Sequence, residues 1–337
     1  MTLKSLDAKL ARIHADPHTA KGFILADAKD ADMAMGLPAT GLAWDGQRDR
    51  ARTLAEYRDQ MREVTRQALV DIMLMSASSH DLLGMEERLF DDSTVTAAVR
   101  ANDATDIHMA RGSCYSQAPS KPFRSGTIDE LQCGRGSCGD EDRLRGCNLG
   151  LYSVTFNNHP DADLRTLEAY REFRIEAGQK GLRHFLEVFD PNVPGAVAPE
   201  RVGDFVNDQI ARMLAGVPRA GRPLFLKIAY HGPRCMEELA AYDPHLVPGI
   251  LGGSAGTTHD AFHLLAEARK HGARAALFGR KINRAENQLA FVRCLRSVAD
   301  GELEPKDAVA AYHGELQKLG IRPRLSIEQD LELTQKI

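Results

Sequence analysis

Eight short apolar runs alternate along this chain with stretches of helical periodicity, and that alternation limits the folds open to it. The runs fall at residues 22–28, 70–76, 105–110, 151–156, 183–189, 222–233, 248–256 and 273–280. Helical patterns follow most of them, at 50–68, 82–101, 163–178, 199–216, 258–271 and 285–299, and an amphipathic helix with Leu3, Leu6, Leu10 and Ile13 precedes the first. Short continuous apolar runs are strands buried on both faces, as in parallel sheets. Strand–helix alternation builds right-handed βαβ units. Eight such units favour closure into a single (β/α)8 TIM barrel over an open sheet. No G-x-G-x-x-G follows the first run, which disfavours a dinucleotide-binding fold. A length of 337 residues suits one barrel domain spanning the chain.

Two stretches stand outside the repeat. Residues 111–150 read as a long Cys-rich insertion after strand three, and residues from 302 onward as a helical extension with a polar tail. Four of the six cysteines (Cys114, Cys133, Cys138 and Cys147) lie in the insertion with spacing C-x18-C-x4-C-x8-C. That spacing lacks the C-x2-C pairs of common zinc modules, so free thiols in a loop over the barrel mouth are expected and no metal site. Cys235 and Cys294 fall in helical patterns as small buried hydrophobes. A net charge of −4 gives no basic face for nucleic acid. No run approaches the roughly 20 apolar residues that span a membrane. The first residues lack the apolar core of a signal peptide. A cytoplasmic protein follows as the expectation, with no cofactor and with outer helices that pair copies into a homo-oligomer.

The sixth run carries the chemistry. Lysine is rarely buried without a partner or a use, and Lys227 sits amid Phe225, Leu226 and Ile228. Alternation puts Phe225, Lys227 and Ala229 on one face. Desolvation favours the neutral amine, the nucleophile that forms Schiff bases with carbonyl substrates. The plainer reading is a strand-end lysine reaching solvent, or a buried ion pair with one of two isolated acids, Glu187 on strand five and Asp27 on strand one. Barrel active sites lie at the carboxyl ends of the strands, with phosphate commonly bound after strands seven and eight. The glycines lie in those loops. Gly252, Gly253 and Ser254 precede a helix N-terminus suited to an anion, and Gly279 leads into Arg280, whose planar fork fits a phosphate. Lys29, just after the first strand, is a further expected substrate contact. Acid–base help comes from Glu187, Asp27 or the hydroxyl of Tyr230.

The segments Phe225-Leu-Lys-Ile-Ala-Tyr-His-Gly-Pro233, Gly252-Gly-Ser254 and Leu277-Phe-Gly-Arg-Lys-Ile-Asn283, with Leu25-Ala-Asp27, resemble the class I aldolases of the DeoC/LacD/archaeal fructose-bisphosphate aldolase superfamily. The resemblance implies a Schiff-base lysine at Lys227, an acid at Asp27 and phosphate contacts at Gly253, Ser254, Gly279 and Arg280. It likens Glu187 to the strand-five acid of the tagatose-bisphosphate type. That type carries a further lysine on strand four, where this chain has none and continues Asn157-Asn-His159. The resulting expectation is a metal-independent aldolase acting on a phosphorylated or sulfonated ketose. A thiolase-like or transaldol enzyme using the same lysine, or a non-catalytic sugar-phosphate-binding barrel that regulates a partner, are the alternatives.

Overall fold

The computed structural model describes residues 2–44, 48–106, 111–253 and 256–335. Its centre is a closed barrel of eight parallel strands in sequence order, β1 (Ile24–Lys29), β2 (Ile72–Met75), β3 (Thr96–Arg100), β4 (Leu149–Thr155), β5 (Arg183–Phe189), β6 (Leu226–Ile228), β7 (Gly249–Leu251) and β8 (Ala275–Phe278). β1 closes the ring on β8, with Ile24 opposite Ala275 and Asp27 opposite Phe278. Around it run α1 (Ser5–Ala15), α2 (Leu54–Gln67), α3 (Ile128–Cys133), α4 (Pro160–Gln179), α5 (Val202–Ala215), α6 (Gly232–Tyr242), α7 (Thr258–Lys270), α8 (Gln288–Asp300) and α9 (Pro305–Lys318).

Alternation along the strands sorts the apolar residues into two cores. Ile24, Ala26, Ile72, Leu74, Ala98, Leu149, Leu151, Phe185, Phe225, Val247, Ala275 and Leu277 fill the barrel interior, where the Phe185 and Phe225 rings stack at 4.5 Å. Their strand neighbours Leu25, Met73, Val99, Tyr152, Leu186, Leu226, Ile228, Ile250 and Phe278 join the outer core beneath the helices. The amphipathic α1 lays Leu6, Leu10 and Ile13 into the interior cluster and so closes the floor of the barrel. Lys4 fastens it there through Nζ to the carbonyls of Phe90 (2.6 Å) and Ser93 (2.7 Å).

The third strand is not where periodicity put it. Residues 82–101 were expected to be helical and 105–110 a strand; instead Asp81–Glu86 form a π-helical turn and Thr96–Arg100 are β3. Thr105 and Asp106 lie in a turn, and residues 107–110 lie outside the described residues. Ala97, Ala98 and Arg100 favour helix individually, but Val95, Thr96 and Val99 are β-branched and pairing with β2 prevails.

The chain from β3 to β4 does more than overhang the mouth. Asp103–Ala104 pairs with Pro122–Phe123. Beyond that bridge, α3 puts Ile128 and Leu131 into the outer core and so covers the side of the barrel. Cys133 and Cys138 are joined in a disulfide, whereas free thiols were expected; Cys147 is free and buried and Cys114 free and exposed. The turn at Gly134 (φ +70°) returns the chain from the end of α3 so that two cysteines five residues apart can meet.

The expected polar tail is docked. Asp330 Oδ1 accepts the Thr258 N–H (2.7 Å) and its Oδ2 faces His313 Nε2 (2.9 Å), while Thr257 Oγ1 donates to the Glu332 carbonyl (2.7 Å). Thr334 and Gln335 donate backbone N–H groups to Asp260. No helix among the described residues is long and apolar enough to cross a membrane.

Candidate active site

Lys227 and Glu187 are direct neighbours across β6 and β5, and Glu187 is in turn opposite Ser153 on β4. All three share the parity of Phe225, Phe185 and Leu151, so they point at the barrel axis one layer above the apolar floor. Lys227 Nζ lies 2.5 Å from Glu187 Oε1, with side-chain exposures of 8% and 1%. Glu187 Oε2 accepts the Ser153 hydroxyl at 2.6 Å. On β3, with the parity of Ala98, Arg100 completes the row. Its Nη1 bonds Asp30 Oδ2 (2.6 Å), its Nη2 donates to Ser153 Oγ (3.1 Å) and stands 3.7 Å from Glu187 Oε2. Burial of the guanidinium opposes its charge, but the carboxylates of Asp30, Glu187 and Asp103 outweigh that and hold it firmly protonated. Asn102 ties β3 to β4, accepting from Ser153 N (2.6 Å) and donating to Ser153 O (2.8 Å). A lysine, a carboxylate, a hydroxyl and a guanidinium thus converge in a dry layer at the carboxyl ends of four consecutive strands.

Asp27 and Lys29 do not join them. Both share the outward parity of Leu25, are fully buried, and pair with each other, Asp27 Oδ2 to Lys29 Nζ, at 3.0 Å. Burial raises the Asp27 carboxyl above its ordinary value and lowers the Lys29 ammonium, with each partner's charge as the counterweight. The acid that β1 contributes to the interior is Asp30, three residues on and of opposite parity. Tyr230 also faces away. It packs against the outer core, and its hydroxyl makes no hydrogen bond among the described residues. Burial lifts that hydroxyl to about 12, with Glu267 of α7 and Glu237 of α6 adding to the shift.

The two glycine loops lie after β7 and β8. Gly252 packs so tightly on Phe278 that a Cβ would fall 2.2 Å from the ring, and Gly253 has φ +61°. A Cβ at Gly279 would meet the Ala28 carbonyl at 2.3 Å. Ser254 lies outside the described residues. Arg280 is exposed, and its guanidinium makes no hydrogen bond or ion pair with the described residues. Burial, and then Arg284, lowers its affinity for a proton. The helix N-terminus behind the first loop is, however, occupied. The N–H groups of Thr257, Thr258 and Asp260 go to Asp260, Asp330 and Thr257 Oγ1. The Gly252 N–H is taken by the Leu277 carbonyl (2.8 Å), so among the described residues of this part of the mouth the groups left open to an anion are the Gly253 N–H and Arg280.

Above the ends of β5 and β6 lies an open cavity of about 350 Å³ bordered by Asp190, Asn192, Val193 and His231, with His231 Nε2 2.8 Å from Asp190 Oδ1. Asn157, on the inward register of β4, accepts the N–H groups of Asn192 (3.2 Å) and Val193 (3.1 Å), and its Nδ2 is buried without a partner among the described residues. Arg100, Ser153, Asp30 and Asn157 were not singled out from sequence for the site. The β-branched residues Val95, Thr96 and Val99 were the available signal for Arg100. Among the described residues no group of three or more His, Cys, Asp or Glu side chains could hold a metal ion.

The sequence matches no family model and no curated protein. Among solved structures, the chain is similar to a fructose-bisphosphate aldolase from Slackia heliotrinireducens, with TM-score 0.64 and 13% identity over 93% of this chain and 92% of that one. It is similar to an archaeal fructose-1,6-bisphosphate aldolase whose catalytic lysine is covalently bound to the carbinolamine intermediate, with TM-score 0.60 and 16% identity over 88% and 100%. A protein of Corynebacterium glutamicum gives TM-score 0.56 and 18% identity over 89% and 99%. Likeness at these identities fixes the fold.

Proposed function

We propose that the protein is a class I, metal-independent aldolase that cleaves or forms a carbon–carbon bond in a phosphorylated or sulfonated ketose through a Schiff base on Lys227. The observation that carries this reading is the Lys227–Glu187 pair, sealed in the inner row at the carboxyl ends of the strands. The fold neighbours described as Schiff-base aldolases support it.

The residues suit each step. Lys227 Nζ first yields an ammonium proton to Glu187 Oε1, already in contact with it, and the free amine adds to the substrate ketone, whose oxygen takes that proton to become the carbinolamine hydroxyl. A second Nζ proton follows the same route through Oε1 to the hydroxyl, which leaves as water. The resulting iminium keeps at Nζ the positive charge that the ammonium held, so Glu187 and its neighbours meet an unchanged electrostatic pattern. Electrons of the breaking carbon–carbon bond flow into the iminium to give an enamine, and the departing half leaves as an aldehyde as Glu187, a carboxylate again after the dehydration, takes its hydroxyl proton. Arg280, with no partner among the described residues, suits a tetrahedral oxyanion on the substrate, whether phosphate or sulfonate, and the Gly252–Gly253 backbone allows close approach.

Borohydride reduction with dihydroxyacetone phosphate and a panel of ketose phosphates and sulfonates, followed by peptide mass mapping, tests the reading. An adduct on Lys227 is expected, together with aldehyde release that survives a chelator. Absence of an adduct with every carbonyl ligand tried would overturn it and favour a barrel that only binds sugar phosphates.

A further inference from the structure

We propose that Arg100 and Ser153 form a clamp on Oε2 of Glu187 that leaves Oε1 as the oxygen exchanging protons with Lys227. The proposal rests on the aldolase reading and specifies how its proton carrier is held.

The two oxygens of Glu187 have unlike surroundings. Oε2 accepts the Ser153 hydroxyl at 2.6 Å and faces the Arg100 guanidinium at 3.7 Å, whereas Oε1 meets Lys227 Nζ at 2.5 Å. A carboxylate oxygen already engaged by a hydroxyl and a guanidinium is the poorer proton acceptor, so the proton shed by Nζ goes to Oε1. The clamp is itself rigid. Arg100 is anchored by Asp30 (2.6 Å) and by the Asn102 carbonyl (2.9 Å), and Ser153 is fixed on both sides of its peptide by the Asn102 amide. Among the described residues, the charged groups around the pair are Arg100 on β3, Asp30 after β1, and Asp103 and Asp106 after β3. Asp103 stands 3.9 Å from Arg100, and Asp106 accepts from Thr155 on β4 at 2.7 Å. β7 presents only Gly249, Ile250 and Leu251 beside β6. Arg100 is thus the cation that holds Glu187 in the row when Lys227 gives up its charge. Neither clamp residue touches the reacting carbon; both are positioning residues.

The test compares wild type with Ser153→Ala, Ser153→Thr and Arg100→Lys under single-turnover conditions across pH. The readout is the rate of borohydride-trapped adduct at Lys227, with thermal unfolding as the check on folding. Loss of one charge-assisted hydrogen bond slows trapping about tenfold in Ser153→Ala, with KM little changed. Ser153→Thr restores the rate, and Arg100→Lys, which cannot span Asp30 and Glu187, falls between. A folded Ser153→Ala with wild-type rate overturns the clamp. The same series is run with formaldehyde, a carbonyl that any accessible amine accepts. Should wild type form no adduct with any ketose while Ser153→Ala still slows formaldehyde trapping, the aldolase reading fails and the clamp stands.

Discussion

Breaking the Lys227–Glu187 pair from its two sides has unequal consequences. Glu187→Leu removes the only carboxylate among the described residues in contact with Lys227 Nζ and strands an ammonium in a largely desolvated layer. Removing one member of a buried pair costs about 3 kcal/mol or more. Lys227→Met leaves Glu187 with the Ser153 hydroxyl at 2.6 Å and Arg100 at 3.7 Å, so its cost is smaller, about 1–2 kcal/mol. The double variant replaces the pair by apolar side chains of similar volume and lies within about 1 kcal/mol of wild type, since the desolvation of both charges is relieved together. A coupling of at least about 3 kcal/mol follows. Urea unfolding of the four proteins measures it directly. With an unfolding entropy of about 2.1 cal/mol/K per residue, a loss of 3 kcal/mol over 337 residues lowers Tm by about 4 °C. The reasoning is refuted if Lys227→Met costs as much as Glu187→Leu, or if the double variant is as unstable as the two singles summed.

Arg280→Met is expected to raise KM for a phosphorylated ketose by at least tenfold while leaving unfolding unchanged, because the guanidinium has no partner to lose; steady-state kinetics beside a melting curve reads both. Gly252→Ala forces a methyl into the Phe278 ring, so it should cost about 2 kcal/mol and weaken anion binding, and Phe278→Leu in the same chain should recover part of the stability. His184, hydrogen-bonded to Tyr170 at 2.8 Å, is held neutral by burial, with Arg174 adding to the effect, and titrates at about 4. Its folded value lies below the unfolded 6.5, so its contribution is whole above pH 6.5 and is lost as pH falls towards 4, about 3 kcal/mol in all. His184→Phe should flatten that limb in urea titrations between pH 7 and 4.

The strand–helix alternation was enough to read the barrel, and seven of the strands, because period and length survive without tertiary context. Lys227 and Glu187 were legible for the same reason, as charged residues in apolar runs whose neighbours fix their parity. That parity was also informative where it went unused. Tyr230 is three residues from Lys227 and Asp27 three from Asp30, an odd offset that sends one member of each couple outward. Arg100 was hidden because Ala97, Ala98 and an arginine look like a helix until the ion pairs that compensate its burial are known, and those partners, Asp30 and Glu187, lie far away in sequence. The blocked N-terminus of α7 depended on Asp330, some 70 residues downstream, which no local pattern could bring there.

The floor laid by Leu6, Leu10 and Ile13 makes the barrel a blind funnel. Substrate and products have one doorway, so traffic through it is sequential. On the aldolase reading proposed above, the ketone-derived half would stay tethered to Lys227 as the enamine while the aldehyde half is free, and the aldehyde would have to clear the doorway before the enamine takes up a proton and water hydrolyses the iminium. In the synthetic direction the same geometry admits the ketone first and the aldehyde on top of it. The plug at the bottom therefore imposes an order of binding and release at the top, and product-inhibition patterns, with the aldehyde departing first, would carry its signature.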